Sequence, residues 1–287
     1  MNEALARWGR FGDYLSLTKP FTLLLHLPTV LASVVLATGA LTFNAPVLAV
    51  ILGGGLLAAS ANTFNCYFDR DLDATMERTK NRAIPAGRLP PRRALEFGIG
   101  LGLIGIAWLI VSMGTTVSVL SLLGFLSYVV IYTRWLKRKT FFSSIIGSLA
   151  GALPPVVAWV AVTGSLNATP FILGAIIMLW TPPHFWSLAL RRKEDYVRSG
   201  VSAVPLTHVS TWVFSFLVFL GITCLALGWY AGLSGWFFLV SVPATLMFLY
   251  LALVSVRNPT DRGVSLFGYS ILYLILIFVA MIIGKIY

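Results

Sequence analysis

Long apolar stretches alternate with short polar segments along almost the whole chain. Nine of these stretches are long enough to cross ~30 Å of hydrocarbon as helices. They lie near 21–42, 46–68, 94–113, 116–133, 145–163, 170–190, 212–232, 236–256 and 264–284. A hydrophobic fraction of 58% with a charged fraction of 11% is far from that of soluble domains. The pattern therefore predicts an all-α integral membrane protein with about nine transmembrane helices.

Charged residues are expected on one side of these helices. If Arg7, Arg10 and Lys19 lie inside, nine alternating spans place every lysine and arginine except Lys285 on that side, together with all ten carboxylates. Cytoplasmic loops are enriched in lysine and arginine, so the N-terminal segment 1–20 and the charged loops are predicted to be cytoplasmic. Anionic lipid headgroups then explain the net charge of +11, and nucleic acid is not an expected partner.

The most informative polar cluster follows the second apolar stretch. Asn65, Asp69 and Asp73 recur at i, i+4 and i+8, so on a helix they rise along one face with a drift of ~40° per step. Arg70 is the only cation among them, which makes simple ion pairing a poor explanation. Mg²⁺ prefers oxygen ligands and often shares them between carboxylates and phosphate oxygens. The spacing thus indicates a metal site for a phosphate-bearing substrate.

Other charged clusters share the predicted cytoplasmic side. A basic run, suited to an anion, follows the aspartates, and a second acidic pair ends the sixth span. These residues are Arg78, Lys80, Arg82 and Arg88, then Glu194 and Asp195. Between them, Lys137 and Arg138 follow an aromatic segment at the end of span four. We expect the two acidic clusters to face one another across a cavity, although a solvated loop is an open alternative for the second.

Two adjacent prolines, Pro182 and Pro183, lie within the sixth span and are followed by His184. Prolines in a membrane helix free carbonyl groups that protein or trapped water must satisfy, so we expect irregular backbone lining a pocket. His184 is then either a residue that takes part in the chemistry or a hydrogen-bonded residue of the helix.

Taken together, these segments resemble the UbiA-type intramembrane prenyltransferases over about residues 16 to 205. The resemblance is carried by Asn65–Asp73, Glu77–Arg82, Tyr132–Arg138, Gly151–Pro155, Trp180–Trp186 and Lys193–Tyr196. Cys66, the Glu77–Arg82 segment and the Pro182-Pro183-His184 run are similar to the branch of that superfamily that acts on haem. Arg191 departs from the pattern, because many members have an aspartate there.

The resemblance implies one polytopic prenyltransferase domain over residues 1–287, with its helices bundled around a central cavity. It also implies that farnesyl diphosphate ionises with the help of Mg²⁺ and that the farnesyl group passes to a vinyl group of protohaem IX, giving haem O. Haem is then a substrate rather than a cofactor. The expected location is the inner (plasma) membrane of a cell, with a mitochondrial inner membrane less favoured, and a membrane partner from the haem A pathway is compatible with it.

The resemblance also implies roles for individual residues. Asn65, Asp69 and Asp73 would hold the first Mg²⁺ and, with Lys137, act in catalysis, while Glu194 and Asp195 would help hold metal across the cavity. Diphosphate or haem would be bound by Arg78, Lys80, Arg82, Arg138, Tyr132 and His184. Aromatic faces such as Tyr67, Trp135 or Trp186 would stabilise the prenyl cation.

Three alternatives stay open at this point. A prenyltransferase of the same fold acting on a quinone precursor or chlorophyllide would share the Asn-Asp spacing. A cation-coupled membrane transporter could use the aspartates differently, but they cluster at helix ends beside a basic loop rather than at the bilayer midplane. A CDP-alcohol phosphotransferase is disfavoured because its aspartate-glycine and alanine-arginine pattern is absent from the sequence.

Overall fold

The fold is described from a computed structural model of residues 11–201, 204–205, 208–257 and 259–287. Every regular element within these residues is a helix, and none of them forms a strand. The helices are α1 (11–18), α2 (Pro20–Thr38), α3 (Ala45–Phe68), α4 (Arg70–Thr75), α5 (Pro91–Leu126), a π-helix (Ser127–Leu136), α6 (Ser143–Gly147), α7 (Leu149–Thr163), α8 (Ala168–Arg191), α9 (Lys193–Ser199), α10 (Val209–Tyr230), α11 (Gly235–Arg257) and α12 (Pro259–Ile286). The predicted all-α class is confirmed.

Eight of the helical stretches in the described ranges are long and apolar enough to cross a membrane, so the count of nine is not confirmed. The difference lies in Pro91–Leu136, a stretch of 46 residues that would be ~70 Å long if straight, against ~30 Å of hydrocarbon. Gly114 interrupts it with φ 76° and ψ −170°, a conformation open to glycine because it has no Cβ. The two arms on either side correspond to the predicted spans 94–113 and 116–133.

Neighbouring helices pack in sequence around the bundle, and α12 returns to pack against α2. A core of large side chains, each at most 1% exposed, holds α8 together with α10–α12. Its largest members are Trp186, Phe237, Phe248, Tyr273 and Phe278. The outer surface is apolar too, since Phe21, Val111 and Trp229 are all more than 80% exposed. Large exposed apolar surface of this kind is typical of contact with lipid.

Helices α3 and α5 approach so closely that backbone meets backbone. A Cβ atom added to Gly105 would lie 3.0 Å from the backbone nitrogen of Leu57 and 3.1 Å from the carbonyl oxygen of Gly53. Small residues permit such contacts between membrane helices, where burial of apolar surface supplies little driving force. Because α3 ends in the polar cluster of the sequence, this packing fixes the position of the candidate site.

We expect Gly105→Ala to destabilise the protein, because the new methyl group must push the α3 backbone away. Overpacking of this kind costs about 1–3 kcal/mol. Gly100→Ala on the same helix is the matched control, since nothing lies within 4 Å of its added Cβ. Thermal unfolding in detergent would compare the two variants, and equal melting temperatures would contradict the close approach.

Candidate active site

Asn65, Asp69 and Asp73 form a ladder of polar side chains where α3 passes into α4. The backbone N–H of Asp69 donates to the carbonyl of Asn65 at 2.9 Å, and that of Asp73 donates to the carbonyl of Asp69 at 2.7 Å. The helical hydrogen-bond pattern therefore continues through Asp69, and the three side chains share one face as their spacing predicts. They are only 3%, 0% and 2% exposed, respectively.

Each side chain of the ladder is paired with a cation. The pairs are Lys19 Nζ with Asn65 Oδ1 at 2.6 Å, Lys137 Nζ with Asp69 Oδ2, and Arg82 Nη1 with Asp73 Oδ2 at 2.7 Å. Removing carboxylates from water is costly unless they are paired and hydrogen-bonded, which these contacts achieve. The ladder is thus a buried charged network supplied by four separate segments of the chain.

Asp69 keeps one oxygen unsatisfied inside this network. Its Oδ2 accepts hydrogen bonds from Lys137 and from Asn65 Nδ2, the latter at 2.8 Å. Its Oδ1 is buried and has no hydrogen-bond partner among the described residues. A buried acceptor without a partner is destabilising, and a hard cation would satisfy it. The donor set therefore fits a divalent ion bound by Asp69 with Asn65 or Asp73 beside it.

A metal site built from three or more clustered histidine, cysteine or acidic side chains is not seen among the described residues. Mg²⁺ often takes one or two carboxylates from the protein and the rest of its ligands from water and phosphate oxygens. The ladder is suited to this second kind of site.

The π-helix that follows α5 lies opposite the ladder. Its wider turn is visible where the N–H of Lys137 donates to the carbonyl of Tyr132, five residues earlier, at 2.9 Å. This turn brings Lys137 onto the same side as Tyr128 and Tyr132, whose rings stack with centroids 5.5 Å apart. Thr133 accepts a hydrogen bond from Asn65 at 3.2 Å, which ties the π-helix to the ladder.

A cavity of about 330 Å³ opens between the ladder and the π-helix. Its charged lining consists of Lys19, Arg78, Arg82, Lys137 and Asp73, and its aromatic lining of Tyr128, Tyr132, Phe185 and Tyr196. Asp69 lies behind this lining. Even when it is included, the four cations outnumber the two carboxylates, Asp69 and Asp73, by two. This excess of positive charge favours an anion, while the aromatic and aliphatic wall suits an apolar chain.

Lys19 is a member of this site that the sequence did not single out. It adopts a left-handed conformation, with φ 52° and ψ 63°, directly before Pro20. Residues that precede proline usually adopt extended backbone, so this conformation is strained and points to a functional constraint. Burial, aided by the nearby charges of Arg82 and Lys137, lowers the pKa of Lys19 to about 8. Its position directly before the first membrane helix is the feature of the sequence that could have pointed to it.

The second acidic pair does not line this cavity. Asp195 is 6% exposed, and its carboxylate accepts hydrogen bonds from the backbone N–H groups of Glu77 at 3.0 Å and Arg78 at 3.4 Å. It therefore anchors the loop that carries Arg78 into the site. Glu194 is exposed. The role of Glu194 and Asp195 in metal binding stays a prediction.

Three of the other predicted binding residues also lie away from the cavity. Lys80 is half-exposed and pairs with Glu77 at 2.6 Å, and Arg138 is exposed and donates to the carbonyl of Phe68 at 2.9 Å. His184 packs between the rings of Trp180 and Phe267, at centroid distances of 4.3 and 4.9 Å. Of the predicted binders, Arg78, Arg82 and Tyr132 line the cavity.

The structure corrects two further expectations. Helix α8 runs unbroken through Pro182 and Pro183, which are buried, and Phe185 and Leu188 are its residues that reach the cavity. The expected aromatic faces are not at the cavity either. Trp186 is fully buried against Phe216, Trp135 is 57% exposed, and Tyr67 packs against Arg70. Tyr128 and Tyr132 of the π-helix line the cavity instead.

The sequence places this chain in a known class of proteins. Residues 26–275 match the UbiA prenyltransferase family, and the chain belongs to this family. It is a multi-pass membrane protein, as its apolar helices also indicate.

Curated relatives of this chain are named protoheme IX farnesyltransferase. The relative from Roseiflexus sp. (strain RS-1) is 40% identical over 279 residues, which cover 96% of this chain and 52% of that protein. The relative from Gloeobacter violaceus is 41% identical over 283 residues, covering 96% and 92%. The chain thus spans about half the length of the Roseiflexus protein and nearly all of the Gloeobacter one.

Solved structures share the fold at low sequence identity. A structure of digeranylgeranylglyceryl phosphate synthase superposes with a TM-score of 0.78 at 15% identity, over 96% of this chain and 98% of the other. A UbiA homolog from Archaeoglobus fulgidus bound to GPP and Mg²⁺ gives a TM-score of 0.62 at 15% identity, over 94% and 99%.

Proposed function

We propose that this protein transfers the farnesyl group of farnesyl diphosphate to a vinyl group of protohaem IX, with release of diphosphate and formation of haem O. The observation that carries the proposal is the cavity beside the ladder, which combines four cations with an apolar aromatic wall and adjoins a buried carboxylate, Asp69, that has one unsatisfied oxygen. The name of the curated relatives favours protohaem as the acceptor.

The first step breaks the bond between the allylic carbon and the diphosphate oxygen, and the electron pair leaves with the oxygen. Negative charge therefore grows on the diphosphate, where Lys19, Lys137 and the arginines of the cavity stabilise it more than they stabilise the bound substrate. Asp69 and the rest of the ladder would hold Mg²⁺, which supplies Lewis-acid stabilisation of the same charge. The homolog from Archaeoglobus supports divalent metal use in this fold.

The second step forms a carbon–carbon bond between the allylic cation and the haem vinyl group. Until then the cation must be kept from water, and the half-buried aromatic wall formed by Tyr128, Tyr132 and Phe185 limits the access of water. Aromatic faces stabilise a cation by ~0.5–2 kcal/mol each. Water then adds to the carbon left positive on the haem and loses a proton, which completes the hydroxyethylfarnesyl group.

His184 is our candidate for orienting the haem. Ser270 Oγ donates its only hydrogen to the carbonyl of Phe267 at 2.6 Å, so in its 2.6 Å contact with His184 Nδ1 the ring must be the donor. A neutral ring then carries a lone pair on Nε2. A histidine that donates through one nitrogen and offers the other is the usual arrangement of a metal ligand, here for the haem iron.

We expect His184→Ala to change the absorption spectrum of the bound haem, because it would remove an axial nitrogen ligand. Exogenous imidazole should restore the spectrum. The measurement is the Soret band of protohaem bound to purified protein without farnesyl diphosphate. His208→Ala is the control, since His208 lies directly before α10 and is exposed. An unchanged spectrum in His184→Ala would remove this role.

We place the cavity on the cytoplasmic side of a cell's inner (plasma) membrane, as the distribution of lysine and arginine supports. The proposal treats residues 1–287 as a single domain, and a membrane partner from the haem A pathway is compatible with it.

The test of the proposed function is to incubate the purified protein with farnesyl diphosphate, Mg²⁺ and an equal mixture of protohaem and 4-hydroxybenzoate. Mass spectrometry should find haem heavier by a farnesyl group plus a hydroxyl group. Prenylated 4-hydroxybenzoate alone would instead identify an enzyme that acts on a quinone precursor, and no prenylated product would reject both.

A further inference from the structure

A second cavity, of about 270 Å³, lies beside the first and has no place in the steps described above. It is lined by Ser16, Leu17, Cys66, Arg78, Asn81, Arg82 and Arg88, and we call it the arginine pocket. Arg78 and Arg82 also line the first cavity, so these two residues form a wall common to both. Arg88, Asn81 and Ser16 belong to the arginine pocket alone.

The lining of the arginine pocket is positively charged, with Arg82 and Arg88 also paired to Asp73 and Asp13 behind it. Three guanidinium groups line it, and its lining contains no carboxylate. Arg88 donates through Nε to Asp13 at 2.8 Å and through Nη2 to the carbonyl of Asn81 at 3.1 Å. These two contacts use two of its five N–H donors and hold the guanidinium in a fixed orientation. Planar guanidinium groups held in this way suit bidentate recognition of a carboxylate or phosphate.

The polarity of the pocket changes with depth. Leu17 and Cys66, only 1% and 3% exposed, form an apolar floor, and Cys66 directly follows Asn65 of the ladder. Arg88, with a side chain that is 48% exposed, lies towards the surface. A ligand with a charged edge and an apolar body could therefore place its charge at the arginines while its body approaches the first cavity.

We propose that the arginine pocket binds the two propionate carboxylates of the haem acceptor, with Arg88 as a residue that determines specificity for the free acid. This inference rests on the proposed function. Protohaem has its two propionates on one edge of an apolar ring and its vinyl groups on other edges. Anchoring the charged edge at Arg88 turns the ring so that a vinyl group can point past Arg78 and Arg82 towards the allylic carbon.

The test compares protohaem with its dimethyl ester, in which the propionate charges are removed. Each is titrated against purified protein in nanodiscs of neutral lipid, without farnesyl diphosphate, and followed by haem absorption. The quantity compared is the Kd of the ester divided by the Kd of the free acid. This ratio should be about tenfold larger for the unmodified protein than for Arg88→Gln, because the variant loses a charge-assisted contact. Binding of the ester should be the same in both proteins. Since only the ratio is compared, the different solubility of the two haems cancels.

Two control variants separate ligand binding from structure. Arg92→Gln removes an exposed arginine nearby that pairs with Glu96 at 3.0 Å and lines neither cavity, so the preference for the acid should be kept. Asp13→Asn removes the negative charge beside Arg88 but keeps an acceptor oxygen for its Nε, so the preference should again be kept. Equal weakening of acid and ester in Arg88→Gln would mean a structural role and overturn the proposal.

An unchanged ratio in Arg88→Gln would also overturn it. The product assay keeps this inference apart from the proposed function. Protein that farnesylates both the acid and the ester with no preference would reject the propionate site alone. Absence of any farnesylated haem would reject the function and the site together.

Discussion

Replacing Asp69 by asparagine is expected to reduce farnesyl transfer by about a thousandfold, equivalent to ~4 kcal/mol of transition-state stabilisation. Asparagine has almost the same shape and keeps an acceptor oxygen towards Asn65 and Lys137, so the fully buried position should stay packed. What the variant lacks is the negative charge that holds a divalent ion. The measurement is the rate of haem O formation at saturating farnesyl diphosphate and Mg²⁺.

Asp71→Asn is the matched control for this variant. Asp71 lies two residues further on, its side chain is 72% exposed, and its pair with Arg70 is long at 3.8 Å. Its rate should therefore be close to that of the unmodified protein. Melting temperatures of the two variants would verify that both are folded, and undiminished turnover in Asp69→Asn would refute the role of the ladder.

Replacing Lys137 by methionine is expected to lower kcat by about a hundredfold or more, with a smaller change in the KM for farnesyl diphosphate. Its ammonium group contacts Asp69, and Lys137 is one of the residues that line the cavity, so it can respond to the charge that moves onto the leaving diphosphate. An interaction that strengthens in the transition state affects kcat, whereas uniform binding affects KM. Removal of one preorganised donor commonly costs ~3–4 kcal/mol.

Lys139→Met provides the comparison, because Lys139 is exposed and lies outside the cavity. Steady-state kinetics of both variants would decide the question. A Lys137→Met protein with raised KM and normal kcat would show that the lysine only binds the substrate.

The ladder could be predicted from sequence because its cause is local. Helical periodicity alone places Asn65, Asp69 and Asp73 on one face, and an apolar helix leaves few other reasons for carboxylates there. The fold class was predictable for a similar reason, since the length of apolar stretches is set by the bilayer. The length of apolar stretches does not decide whether two neighbouring stretches form one helix or two. In Pro91–Leu136 this depends on the backbone conformation of Gly114.

The rest of the site depends on tertiary structure that has no local signal. The π-helix brings Tyr128 and Lys137 to one side, and an α-helical reading of the same residues would separate them. Asp195 accepts hydrogen bonds from the backbone of the loop at Glu77 and Arg78, a contact across more than 100 residues that no local pattern reveals. Lys19 reaches Asn65 across 46 residues of sequence, through a strained backbone that the pattern of apolar residues does not reveal.

The most direct test of the metal and diphosphate site is a crystal structure with Mn²⁺ and the unreactive thio analogue of farnesyl diphosphate. Mn²⁺ shares the oxygen preference of Mg²⁺ and gives an anomalous signal. We expect an anomalous peak within ~2.2 Å of a carboxylate oxygen of Asp69, with diphosphate oxygens completing the coordination beside Lys137. Asp69 still paired with Lys137, with the metal and diphosphate bound elsewhere, would contradict the proposed chemistry.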